Sequence, residues 1–223
     1  DNPIYEKYSK TFGIESHMSN RALRALELFG KDDLISDSDF EQYKYDLRYS
    51  NKSYMSQFVN RVISISDNFE DDQLKEGVDI LKSWDKNTDL NNKHASLPII
   101  SFGWFMETSP DDVTNERLIE SFTFGVKYLY EHYGRLDVIW GSVNRLIRGS
   151  LNLGIAGGPD VSHAVYGLPT KEGYLKGYAG DAFLMLVEWG ENGQVSSQSI
   201  HQYGSNVQHE SSMHYADQAK LFV

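Results

Sequence analysis

Apolar residues recur at helical spacing through the first part of the chain. Between residues 55 and 63, and again between 118 and 133, they follow the i, i+3, i+4, i+7 pattern of an amphipathic helix. Leu74, Val78 and Leu81 repeat the pattern more briefly. The continuous apolar run from Leu97 to Met106 fits a buried helix or a strand, and Pro98, which suits a first helical turn, favours helix. These patterns predict a mainly helical segment over residues 1–134.

Residues able to cap helices precede two shorter predicted helices. Ser19 or Asn20 can cap a helix that ends before Gly30. Its apolar positions fall on one face: Ala22, Leu23, Leu26 and Phe29. Arg24 falls on a stripe of this helix that we expect to face solvent. The hydroxyl and carboxylate groups of Ser36 to Ser38 can accept the free amides of a second helix, which is expected to turn Phe40 and Tyr43 inward.

Short strand-like runs separated by glycine replace this pattern from Trp140 onward, and 13 of the 18 glycines lie from Gly134 onward. Residues 182–189 and 194–201 flank Asn192-Gly193, which predicts a β-hairpin. Its first strand is apolar on both faces and is expected to be covered on both sides, whereas its polar partner is expected near an edge. A further strand over residues 163–167 follows a turn at Gly157 to Asp160. The predicted fold class is therefore α+β, with a helical first half and a strand-rich segment of antiparallel strands over residues 135–223.

Composition narrows the classes of partner and cofactor. The 21 basic and 32 acidic residues are spread along the chain and give a net charge of −11, which argues against nucleic acid or an anionic membrane surface as partner. No apolar stretch approaches the ~18 residues of a membrane span, so no membrane insertion is predicted. The chain has no cysteine, and the spacing of its C-terminal acidic and imidazole side chains fits no zinc signature: His201, His209, His214 and Asp217. We accordingly predict no metal ligand and no cofactor-binding residue here.

A set of short segments stands in a distinctive order along the chain: Ser19–Leu26, Leu81–Asp85 with Asp89, Trp140-Gly141, Arg148-Gly149, Gly157–Asp160, Gly180–Trp189, Ser199–Gln202 and Ser212–Gln218. Taken together, their order and spacing resemble the C-terminal portion of the β chain in the penicillin amidase family of N-terminal-nucleophile (Ntn) hydrolases. This family includes penicillin acylases and acyl-homoserine-lactone acylases.

The resemblance implies a place in an αββα sandwich and a precursor that cuts itself so that a serine becomes the first residue of the β chain. The free α-amino group of that serine, with a pKa of about 7.7–8.0, can take the proton of the hydroxyl near neutral pH. The implied substrate is a small N-acyl amide, such as an acyl-homoserine lactone or a penicillin-like compound. The implied partners are the remaining β-chain residues and the α chain of the same precursor.

Arg21 is the family active-site position that the resemblance assigns to this chain. Its guanidinium stays cationic and donates several hydrogen bonds in one plane, so it suits orienting groups around the nucleophile or the substrate. The alternative is an ordinary first-turn arginine. The chain begins with Asp1, whose carboxylate cannot replace the serine, so we expect the nucleophile upstream, together with an oxyanion asparagine that is not Asn2.

Two further expectations concern the parent protein. The resemblance implies a periplasmic or secreted enzyme, and it allows a structural calcium ion whose ligands cannot be placed in this chain. A different class of function also fits the absence of a complete catalytic set in the sequence, namely a non-catalytic binding or interaction module. A part of a larger sandwich is expected to expose an apolar face or sheet edge, which a self-contained module would not.

Overall fold

A computed structural model describes residues 17–31, 33–206 and 208–223, so Asp1 and Asn2 lie outside the described residues. The longer helices occupy the first part of the chain: α1 (Asn20–Phe29), α2 (Asp37–Lys44), α3 (Tyr54–Ile65), α4 (Asp72–Ser83), α5 (Ser96–Phe102) and α6 (Asn115–Tyr133). Short 3-10 turns follow α3 and α5 and precede α6. A one-turn helix α7 (Trp140–Val143) leads into the strands, and α8 (Ala219–Phe222) lies near the end.

Side-chain caps fix where most of these helices begin. Ser19, Ser53, Asp71 and Thr114 each accept a hydrogen bond from a first-turn amide of the helix that follows. Ser36 does the same for α2 and forms a reciprocal capping box with Asp39. The starts that the sequence indicated for α1 and α2 are thus confirmed.

The main hydrophobic core lies among α3, α4, α5 and α6. The side chains of Met55, Phe58 and Val62 on α3 are fully buried, and so are Phe122 and Leu129 on α6. Every residue of α5 is buried, which explains why its sequence is apolar all round and shows no solvent-facing stripe. The helical reading of Leu97 to Met106 is therefore confirmed.

The strands form two separate sheets. A four-stranded sheet has the order β2-β1-β4-β3, from β1 (Asn144–Arg148), β2 (Leu151–Gly154), β3 (Val165–Pro169) and β4 (Leu175–Gly180). Its β1–β2 and β3–β4 pairs are antiparallel, whereas β1 and β4 are parallel. The predicted hairpin forms the second sheet, with β5 (Phe183–Trp189) antiparallel to β6 (Val195–His201).

The α+β fold class is confirmed, with helices first and mostly antiparallel strands after them. Helix α6 ends at Tyr133, and Gly134 caps it with a left-handed backbone, as the sequence indicated. The main core nevertheless continues past this point, because Leu136, Trp140 and Leu175 belong to it. The division into segments 1–134 and 135–223 stays a prediction. Among the described residues, no helix combines the length and apolarity needed to cross a bilayer.

Two expectations about burial are wrong. Strand β5 is not covered on both sides, since Phe183, Met185 and Trp189 are exposed. The reason is that β6 is the only strand that pairs with β5 among the described residues, and the hairpin turns Leu184, on its other face, toward a small second core. Phe40, which was expected to turn inward, is about half exposed, because α2 lies at the surface. Its ring centroid is 6.1 Å from that of Phe29.

Candidate functional site

The first residue of α1 lies against the turn at Gly157 to Asp160, 140 residues further along the chain. The Asn20 backbone amide donates to Asp160 Oδ2 at 2.7 Å, and the Asn20 side-chain amide donates to the Asp160 carbonyl at 2.9 Å. The same amide group donates to the Arg48 carbonyl at 3.1 Å, and Asn20 Oδ1 accepts from the Ser50 amide at 2.7 Å. Asn20 thus joins three segments of the chain through one buried side chain.

Asp160 is the partner of Asn20 in this contact, which we call the junction of Asn20 and Asp160. It is 9% exposed, and its φ of 60° lies in the left-handed region, which aspartate tolerates better than most residues. Burial raises the pKa of its carboxyl, while the amide of Asn20 and the charge and hydrogen bonds of Arg21 oppose the rise. A carboxylate beside the first amides of α1 also interacts favourably with the positive end of the helix dipole.

Two buried aromatic side chains donate hydrogen bonds to backbone carbonyls of the turn and hold it in place. The Tyr49 hydroxyl donates to the Pro159 carbonyl at 2.6 Å, and Trp140 Nε1 donates to the Gly157 carbonyl at 2.8 Å. The Gly157 amide in turn donates to the Thr88 carbonyl at 3.1 Å. The turn is therefore held in place on several sides, and so is the carboxylate that it presents to α1.

Arg21 extends from this junction toward solvent. Its Nε lies 3.5 Å from Asp160 Oδ1, and its side chain is 55% exposed. The carboxylate offsets the unfavourable position of a cation in the first turn of a helix and fixes one edge of the guanidinium. The rest of the planar group is accessible to a further acceptor. Whether that acceptor belongs to an active site stays a prediction.

Arg24 is not the solvated residue that its stripe suggested. Its side chain is only 15% exposed and makes two 2.8 Å hydrogen bonds to Asp46 and one of 2.6 Å to Glu27. The hydrogen bond to Asp46 is the main reason why the pKa of Arg24 is raised. Asn20, Arg24 and Glu27 are spaced i, i+4, i+7, so the face of α1 that packs on residues 46–50 is polar and held by hydrogen bonds. A search for apolar spacing could not find this face.

His163 is a buried titratable group beside the turn, where its carbonyl accepts from the Gly158 amide. Burial lowers the pKa of its imidazole; the negative charge of Asp181 opposes this shift, and the positive charge of Lys44 adds to it. Its Nε2 has no hydrogen-bond partner among the described residues. The folded chain therefore favours neutral histidine.

The stability of the chain is expected to fall in mild acid because of His163. The pKa of this imidazole is about 6.5 in the unfolded chain and lower in the folded chain. As the pH falls below about 6.5, the unfolded state therefore binds more protons than the folded state, and the free energy of unfolding decreases. One such group removes at most about 1.4 kcal/mol per pH unit. Replacing His163→Phe keeps a ring against Phe222 and removes the proton site. Urea unfolding at several values between about pH 7 and pH 5 should give a shallower slope for the variant, and equal slopes would contradict this account.

Several residues of this site were not predicted from the sequence. Asn20 was considered only as a helix cap, and Asp160 only as part of a turn and of the ordered motifs. The Gly-Gly-Pro-Asp sequence indicates a turn, but it does not state that the carboxylate of Asp160 is buried. No signal linked it to Asn20. Among the described residues, no group of three or more His, Asp or Glu side chains is arranged to hold a metal ion.

Comparison with protein-family models identifies the class of this chain. The model described as penicillin amidase matches residues 1–223, the whole chain. The chain therefore belongs to the penicillin amidase family, and this membership indicates a hydrolase of N-acyl amides. A search of curated proteins finds no match.

Proposed function

We propose that this chain is the C-terminal part of the β chain of an N-acyl amide hydrolase, in which it forms part of an αββα sandwich and supplies Arg21 to the active site. The observation that carries the proposal is the junction of Asn20 and Asp160. Asp160 forms an ion pair with the half-exposed guanidinium of Arg21 and accepts two hydrogen bonds from Asn20, the residue before Arg21. Such support is more than an ordinary surface arginine requires.

The chemistry assigned to the parent is that of an N-terminal serine nucleophile outside these residues. The α-amino group of that serine accepts the proton of its own hydroxyl, the oxygen attacks the amide carbonyl, and the amine leaves with that proton. Water then attacks the acyl-serine ester, and the acyl group leaves as a carboxylic acid while the serine hydroxyl is restored. Arg21 donates hydrogen bonds in a fixed plane toward the nucleophile or the substrate and holds them in the attacking geometry. The proposal assigns no cofactor to this chain.

The exposed face of the hairpin supports the proposal that further protein covers this chain. Phe183, Met185 and Trp189 point to the same side of β5, and Val195 pairs with Trp189 across the hairpin. All four are exposed, Trp189 to 71%. An apolar strip of this kind is unfavourable in water, and the remaining β-chain residues and the α chain are the partners that we propose for it.

The proposed substrate is an acyl-homoserine lactone, a penicillin-like compound or another small N-acyl amide, and the proposed location of the parent is the periplasm or the cell exterior. The net charge of −11 repels anions at long range, which favours the neutral acyl-homoserine lactone over a penicillin-like compound, whose carboxylate is ionised at pH 7. The chain by itself is expected to show no amide hydrolysis above a buffer blank, because the nucleophile lies elsewhere. Hydrolysis by the chain alone would contradict that part of the proposal.

Replacing Arg21→Ala in the complete acylase is expected to lower kcat/KM for an N-acyl-homoserine lactone by about 10²–10³-fold, which is the usual effect of losing one donor aimed at reacting groups. Arg21→Lys keeps the charge and loses the planar fork, so a smaller loss of about tenfold is expected. Initial rates over a range of substrate concentrations would separate kcat from KM.

Arg135→Ala provides the matched control. Arg135 is an exposed arginine paired with nearby Asp137, and its removal is expected to leave the rate unchanged. Thermal unfolding of all three variants would show whether a lost rate reflects lost folding. If Arg21→Ala retained the full rate while remaining folded, Arg21 would be an ordinary first-turn arginine.

A further inference from the structure

A cavity of about 240 Å³ lies between the helical layer and the four-stranded sheet. Helices α5 and α6 and the turn after α5 form one side, and strands β3 and β4 form the other. Pro159 lies in its wall, but Asn20, Arg21 and Asp160 do not. The cavity is therefore distinct from the junction of Asn20 and Asp160.

Aromatic side chains line both sides of this cavity. Trp104, Phe124 and Tyr128 belong to the helical side, and Tyr166 and Tyr178 belong to the sheet. Phe124 and Tyr128 lie one turn apart on α6, with ring centroids 5.8 Å apart, so they share one face of that helix. Trp104, Phe124 and Tyr178 are between about half and two thirds exposed, so much of their ring surface has no protein packed against it.

A β-bulge accounts for the place of Tyr178 in the cavity wall. Two consecutive residues of β3 pair with Ala179 and Gly177, so Tyr178 is an extra residue in β4. In a regular strand Tyr178 and Leu175, three positions apart, would point to opposite faces of the sheet. Both nevertheless line the cavity, as expected where a bulge re-aims a side chain. The sheet thus departs from its regular ladder where it presents an exposed aromatic ring to this space.

The charge of the cavity wall is negative. Among the described residues that line it there is no lysine, arginine or histidine, and Glu107 is its one carboxyl. Glu107 is exposed, and the ion pairs of the described residues do not include it. The arginine–ring contacts in the same residues involve Phe105 and Tyr203, which lie outside the cavity. Neither the carboxylate nor the rings of the wall are therefore occupied by a described cation.

This combination of groups favours a cationic ligand. The face of an aromatic ring carries partial negative charge and attracts an ammonium group, most strongly for tryptophan. The carboxylate of Glu107 and the net charge of −11 act in the same direction, whereas an anion would meet no cation in the wall. The volume equals that of about eight water molecules at their ~30 Å³ each, which suits a small molecule rather than a peptide or a long acyl chain.

We propose that this cavity is a binding site for a small organic cation with an alkylated ammonium group and no negative charge of its own. The alkyl groups pack among the aromatic rings, and the positive charge lies over ring faces and near the carboxylate of Glu107. A phosphate-bearing lipid headgroup with the same ammonium does not fit, because its phosphate would find no cation in the wall. The site is separate from the proposed amide hydrolysis, so its test needs no catalytic activity.

Choline is the probe, because its quaternary ammonium is cationic at every pH. The assay follows the four indole N–H signals of the ¹⁵N-labelled full chain during a titration at constant ionic strength. Trp104 and Trp140 line the cavity, whereas Trp84 and Trp189 do not. We expect saturable shifts of the first two signals with a Kd of about 1 mM or lower, the range open to a ligand of about seven non-hydrogen atoms. Equal shifts of all four signals, or no saturation, would overturn the site.

Two further ligands test which part of choline is recognised. 3,3-Dimethylbutan-1-ol has the shape of choline with carbon in place of the charged nitrogen, and it should bind about tenfold more weakly. Phosphocholine keeps the ammonium and adds a phosphate, and it should also bind about tenfold more weakly. Equal affinity for the neutral alcohol would overturn the assignment of a cation. Equal affinity for phosphocholine would overturn the choice of a free small cation over a lipid headgroup.

Two variants of exposed wall residues test the groups that recognise the charge. Tyr178→Leu keeps an apolar side chain and removes a ring face, and Glu107→Gln removes the carboxylate charge; each should reduce the preference for choline over the alcohol by about threefold. Phe183→Leu and Glu120→Gln are the matched controls, because both residues are exposed outside the cavity, and they should keep the preference. Thermal unfolding would confirm that all four variants fold. A preference unchanged in Tyr178→Leu would overturn the role of the rings, and one unchanged in Glu107→Gln would overturn that of the carboxylate.

Discussion

Replacing Asn20→Ala is expected to lower the free energy of unfolding by about 3–5 kcal/mol, a loss typical of a broken buried hydrogen-bond network. The side chain is 2% exposed and makes three hydrogen bonds, to the carbonyls of Arg48 and Asp160 and from the amide of Ser50. Alanine leaves all three backbone groups buried without that partner. Asn20→Asp should be nearly as harmful, because it places an oxygen where the amide donated to two carbonyls.

Urea unfolding followed by circular dichroism would measure this loss, with Asn60→Ala as the matched control. Asn60 is exposed on α3, and alanine there should change stability by less than about 0.7 kcal/mol, and in the stabilising direction. If Asn20→Ala lost no more than about 0.5 kcal/mol, a typical surface value, the junction would not contribute to the stability of the fold.

Replacing Gly157→Ala is expected to lower the free energy of unfolding by about 3 kcal/mol or more. The φ of Gly157 is +85°, a conformation that is unfavourable for alanine, and a Cβ there would overlap the carbonyl oxygen of His163. Any shift that relieves the overlap would disturb the hydrogen bonds of Gly157 to Thr88 and Trp140.

Gly193→Ala separates the two causes. Gly193 has a similar φ of +78° in the hairpin turn, but a Cβ there would meet nothing within 4 Å. That variant should lose only the conformational part, about 1–2 kcal/mol. The difference between the two variants, read from urea unfolding, then measures the packing of the turn on His163. Equal losses would show that the turn can move away without further harm.

The helices were predictable because their signals are local. Ser36 and Asp39 lie three residues apart and cap α2 without help from the rest of the chain. The spacing of apolar residues in α3 predicts which of its faces is buried, whatever that face packs against. The hairpin was predictable for the same reason, since Asn192-Gly193 defines the turn between two strands. The family was also predictable, because the order of the short motifs along the chain resembles that of penicillin amidases. The match of the family model over residues 1–223 confirms that prediction.

The site was only partly predictable because its contacts are long-range and polar. Arg21 came from the family resemblance, whereas Asp160, which positions it, depends on a contact across 140 residues. Polar side chains follow no periodicity that states whether they are buried, so Asn20 and Arg24 read as a cap and a surface residue. The same limit applies to β5, whose apolar sequence fits a strand covered by other protein as well as one exposed on a hairpin.

The junction of Asn20 and Asp160 also sets an order of events during synthesis. A ribosome releases α1 long before it adds the residues of the turn at Gly157 to Asp160, so the hydrogen bonds that dock the first turn of α1 onto that turn cannot form until most of the chain has emerged. Helices α3 to α6 can pack on one another in the interval, because all four are already made, and Leu175 joins the same core only after the turn has been added. Arg21 would therefore reach its final position late in folding, after helices α3 to α6 have packed on one another.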